Sequence, residues 1–107
     1  MRFLAPTLIL ASLSLAACNP CAERCRVESR NIEDCLDDWN LEWADFGATN
    51  AKSFSDQCVE TELRWIDSLE GDEKQAETSA CWDLTEDLRS AEDCTARWNA
   101  LVSYGGN

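Results

Sequence analysis

Histidine is absent from this chain. Its absence removes the Ser–His and Cys–His dyads of ordinary nucleophilic catalysis and the commonest nitrogen ligand of zinc. Only 2 prolines and 4 glycines punctuate 107 residues. With so few breakers, and no apolar–polar alternation sustained beyond a few residues, no strand is predicted. Positive charge is scarce: 9 Lys and Arg stand against 21 Asp and Glu, a net charge of −12. Nucleic-acid binding rests on neutralising phosphates, and a grip on anionic lipid rests on clustered lysine and arginine, so neither is expected. No Asp-x-Asp-x-Asp-Gly loop is present to hold calcium. The apolar run at 3–17 is 15 residues long and interrupted by Pro6, Thr7, Ser12 and Ser14, whereas crossing the hydrocarbon core takes about 20.

Cysteine, by contrast, is abundant at 7 residues, and helical periodicity is strong. Counting about 100° per residue from Cys21 places Cys25 at ~40°, Ile32 at ~20°, Cys35 at ~−40°, Trp39 at ~0°, Trp43 at ~40° and Phe46 at ~−20°. That single stripe predicts one amphipathic helix over 20–46, capped by Asn19, with Pro20 at its first position and Gly47 at its end. Val27 falls off the stripe. A second helix is expected from a cap at Ser53 or Ser55 to Glu70, with Phe54, Cys58, Trp65 and Leu69 on one face and Gly71 as its stop. Asp72, with Gln75 three residues on, opens a third helix carrying Ala80, Cys81, Leu84 and Leu88. The apolar phase shifts by ~80° after Arg89, and Ser90 with Asp93 supplies the cap of a short fourth helix carrying Cys94, Trp98, Leu101 and Val102 to about Ser103. The fold class is therefore all-α, a small disulfide-stapled bundle of three or four helices. Residues 30–40 (RNIEDCLDDWN) also echo residues 89–99 (RSAEDCTARWN), with 6 identities in 11 positions. Duplication explains this, and so do the shared demands of two helix starts.

Arg2 followed by the apolar run reads as an export signal. It ends in Leu15-Ala16-Ala17-Cys18, which resembles the lipobox of bacterial lipoproteins, where small residues precede an invariant cysteine. The resemblance covers the first 18 residues. It implies removal of a signal peptide, 1–17, and a lipidated Cys18 that ties domain 18–104 to a membrane of the bacterial cell envelope. Asn19, standing where Asp would retain an enterobacterial lipoprotein, implies the outer membrane, facing the periplasm. The tail 105–107 is expected to fray.

Setting Cys18 aside leaves Cys21, Cys25, Cys35, Cys58, Cys81 and Cys94, an even set that reads as a disulfide framework in an exported chain. Six cysteines allow 15 pairings. In a continuous helix Cys25 and Cys35 stand ~15 Å apart, beyond bridging reach, so each of the first three must take a partner from the last three. A short turn at 47–52 favours Cys35–Cys58. A Cys25–Cys35 bond would instead require a break at Asn31, which could cap a new helix as Ser90 does. The spacing Cys25-x9-Cys35 resembles that of twin CX9C helical hairpins, from which Cys81-x12-Cys94 departs.

Adjacent carboxylates are numerous (Glu33-Asp34, Asp37-Asp38, Asp72-Glu73, Glu86-Asp87, Glu92-Asp93) and read as solvated helix faces, since catalytic carboxylates need a cleft that pushes their pKa values apart. Trp39, Trp43, Trp65 and Trp98 lie on core stripes. Trp82, ~130° from the centre of its helix's face, is the candidate contact surface, tryptophan being a favoured interface anchor. No metal, cofactor or catalytic residue is expected. Without Arg2 the charge is −13, 8 basic side chains against 21 acidic. The function expected is a non-catalytic binding or structural module at the membrane surface. The alternative is an inhibitor or immunity-like protein that neutralises a basic partner.

Overall fold

A computed structural model describes residues 19–105, so the export signal, Cys18 and residues 106–107 lie outside it. Four α-helices, α1 (Pro20–Trp39), α2 (Ala51–Ser68), α3 (Gly71–Ser90) and α4 (Cys94–Gly105), form the all-α bundle, with one 3-10 turn at Trp43–Phe46. No strand occurs among the described residues, and no helix there is long and apolar enough to cross a membrane.

Helix α1 is the hub. It packs against each of the other three, while α2 and α4 lie on its two flanks and hardly meet. Contacts give an up-down-up-down course. Ala51 accepts a hydrogen bond from Ser29 Oγ at 2.8 Å while Ile66 packs at Cys21, so α2 runs back along α1. Along α3, Glu77 lies by Cys21 and Leu88 by Val27, so α3 runs with α1. Along α4, Cys94 meets Cys35 while Ala100, Leu101 and Tyr104 reach Val27, so α4 returns.

Three disulfides fasten this arrangement, one from α1 to each neighbour: Cys21–Cys81 to α3, Cys25–Cys58 to α2 and Cys35–Cys94 to α4, with Cα–Cα distances of 5.0, 5.7 and 5.6 Å. The rule that each α1 cysteine pairs outside its own helix holds. The preferred Cys35–Cys58 bond does not form. Helix α1 ends at Trp39, not Phe46, because Asn40 takes the left-handed conformation (φ 55°) and donates its N–H to Asp37; Asn is the residue after Gly best able to do this. The chain then spends the turn at Trp43–Phe46 and a left-handed Gly47 before α2 starts beside Ser29. That lower start carries Cys58 down to Cys25 and leaves Cys35 free for α4. Asn31 caps nothing: its Nδ2 donates to Val27 O at 2.7 Å within an unbroken helix.

Other boundaries also differ from expectation. Asn50 caps α2, and Ser53 is its capping-box partner, Ser53 N donating to Asn50 Oδ1 at 2.8 Å. Asp72 does not cap α3, whose first residue is Gly71 at φ 55°. Ser90 closes α3 by bonding back to Glu86 O, and Asp93 caps α4 through Ala96 N. Helix α4 passes Ser103, and Tyr104 Oη donates to Asp87 Oδ2 at 3.0 Å.

A hub is buried on more than one side, which is why Val27 is 2% exposed despite lying off the stripe. Its cluster with Leu84 and Leu88 forms one core; Cys21, Ile66 and Cys81 form another. Trp65, placed on a core stripe by periodicity, is 52% exposed. The ring falls outside the face that α2 packs against α1.

Candidate functional site

Because α2 and α4 stand apart on the flanks of α1, a cleft opens between them over the middle of α1. Arg24, Glu28 and Ile32, spaced i, i+4, i+8, therefore form the floor of a cleft of about 410 Å³. Phe46 and Phe54 wall it on one side, and Leu84, Trp98, Leu101 and Val102 on the other. Its volume falls in the range of ordinary ligand sites. The disulfides hold the walls, so the cleft exists before anything enters it.

The aromatic wall is built in pieces. Trp43, Phe46 and Phe54 form one cluster with ring centroids 5.6–6.5 Å apart. Across the cleft Trp98 meets Trp39 edge-on at 5.2 Å, and Trp39 Nε1 donates to Cys94 O at 3.0 Å. On its far face Trp98 also borders an open recess of about 310 Å³ with Trp39, Leu41 and Thr95.

Charge gathers at the other end. Arg24 Nη1 lies 2.9 Å from Glu28 Oε1, and its Nη2 lies 3.2 Å from Glu62 Oε2 and 3.4 Å from both sulfurs of the Cys25–Cys58 bond. All three charged side chains are less than a fifth exposed, and Arg24 Nε has no hydrogen-bond partner. Burial pushes the Glu28 carboxyl above its ordinary range against the pull of Arg24. Burial and a hydrogen bond to Glu77 push Glu62 up to about 7, with Arg24 opposing. A smaller recess of about 200 Å³, lined by Arg24, Glu77, Ala80, Cys81, Leu84 and Tyr104, continues the cleft past this end.

Cys18 lies outside the described residues. The six remaining cysteines are all in the three bonds. Cys21, Glu62 and Cys81 form the closest set of potential metal donors, but the two sulfurs are bonded to each other. Cys18 and Cys21 stand at Cys-x-x-Cys spacing, but Cys21 is taken by Cys81. Trp82 is 48% exposed on α3 and lines none of these cavities. All five adjacent carboxylate pairs are exposed. The acids that are desolvated, Glu28 and Glu62, are far apart in sequence. The available signal for Glu28 was its place within the α1 stripe, at ~−20° from Cys21, with Arg24 just off the edge at ~−60°.

Fold and cleft together define a class: a small helical bundle stapled through one helix, with one preformed, largely apolar cleft charged at one end. No protein-family model, curated protein or solved structure matches the chain.

Proposed function

We propose that this protein is a non-catalytic binding module, held at the surface of a bacterial envelope membrane by a lipid on Cys18, and that its cleft along α1 receives the partner. The observation that carries this reading is the cleft floored by Arg24, Glu28 and Ile32 between apolar walls fixed by three disulfides. A preformed site avoids the entropy cost of ordering on binding. The lipid anchor rests on the lipobox alone. A second reading, that the protein neutralises a basic enzyme, is favoured by the net charge of −12, since such complementarity speeds association. Trp82 offers either reading an additional exposed contact.

Two measurements test this. Metabolic acyl labelling should mark the wild type and not Cys18→Ala; equal labelling contradicts the anchor. Partner capture from native membranes at rising salt separates the two readings: steep loss of association rate with ionic strength supports the inhibitor, and a shallow dependence supports contact through the apolar cleft.

A further inference from the structure

We infer that the cleft takes an apolar peptide segment carrying a lysine or arginine, with the basic head at the Arg24–Glu28 end; this rests on the binding-module reading above. The floor from Arg24 to Ile32 is ~12 Å long at 1.5 Å per residue, about two turns of a helix or four extended residues. Its mouth is rimmed by Trp98 and Val102, 39% and 48% exposed. An open, elongated apolar trough of this size suits the side chains of one face of a peptide segment.

The charged end selects the head group. One guanidinium, Arg24, serves two carboxylates, Glu28 at 2.9 Å and Glu62 at 3.2 Å, and Glu77 lines the recess beside them. On the wall beside them Tyr104 is bound to Asp87 at 3.0 Å. Carboxylates thus outnumber the one cation, and the nearest of them, Glu28, is desolvated. An acidic head group entering here meets a cation already engaged twice. A neutral one leaves Glu28 with Arg24 as its sole ionic partner. A basic head group gives Glu28 a second charge-assisted hydrogen bond where water is largely excluded, the geometry in which such bonds are strongest. A long basic side chain also lays its methylenes along the apolar walls while its charge reaches this end.

The test uses the full-length oxidised protein in zwitterionic nanodiscs, with empty discs subtracted. The probes are a leucine–lysine peptide of helical period and its leucine–glutamine counterpart. The lysine peptide should bind about tenfold or more tightly than the glutamine peptide. Glu28→Gln should remove most of that difference by weakening the lysine peptide more than the glutamine peptide. Val102→Asp makes the protein more acidic yet places a charge in the apolar mouth. It should weaken both peptides at least tenfold if they enter the cleft. Tighter or unchanged lysine-peptide binding to Val102→Asp means that the peptide sits on the acidic exterior and overturns the proposal. Equal affinity for both peptides, lost together in Val102→Asp, overturns the basic preference and leaves the binding cleft standing.

Discussion

Trp39 and Trp98 meet edge to face at 5.2 Å, and the cysteines four residues before each, Cys35 and Cys94, are bonded to each other. These are the matching positions of the internal sequence echo. The two echoed segments therefore meet at two pairs of matching positions. This junction closes one end of the bundle and holds the Trp98 wall of the cleft.

Removing that junction should be costly. Peptide mapping of the oxidised protein should find Cys21–Cys81, Cys25–Cys58 and Cys35–Cys94. Replacing Cys35 and Cys94 together with alanine opens a loop of 59 residues and should cost about 3–4 kcal/mol in denaturant unfolding. Trp39→Ala should cost about 2–4 kcal/mol, since it removes a half-buried ring and its hydrogen bond to Cys94 O.

Glu62 makes stability depend on pH in a defined direction. Its folded-state pKa of about 7 lies above the ordinary 4.5, so the folded protein holds this proton more tightly than the unfolded chain. The stabilisation is fully present below about pH 4.5 and is lost as pH rises through about 7. Between pH 5 and 8 the melting temperature of the wild type should therefore fall by several degrees more than that of Glu62→Gln. A parallel decline in both proteins would show that Glu62 titrates normally.

Trp82 and Trp39 should behave oppositely on truncation. Trp82 is 48% exposed, so Trp82→Ala should leave helicity and melting nearly unchanged, within about 0.5 kcal/mol. If it anchors a partner, the same change should weaken capture by about 2 kcal/mol or more. Melting of Trp82→Ala at the same reduced temperature as Trp39→Ala would return Trp82 to the core.

Much of the fold was legible because it depends on local pattern. Asn19-Pro20, the Cys/Ile/Trp stripe and the scarcity of breakers specify α1, and helix length alone forced its cysteines to seek partners elsewhere. What was missed depends on where the chain turns and what lies on both flanks. Asn40 stops α1 in a conformation usually given to glycine, so Trp43 and Phe46, on the stripe by angle, belong to a separate turn. That shift changed which cysteine Cys58 reaches. Val27 is buried because α3 and α4 cover a second side of the hub, which no single-helix periodicity can show. The cleft was illegible for the same reason: its floor residues are local to α1, but the opening above them results from α2 and α4 standing apart.

The most direct measurement places a photo-crosslinking amino acid at position 102, on the cleft rim, or at position 74, an exposed site on α3, in the full-length protein in native membranes. One adduct is expected from position 102, none from position 74, and the adduct should be lost when excess leucine–lysine peptide is added. No adduct from position 102, or the same adduct from both positions, would contradict a cleft that binds a partner.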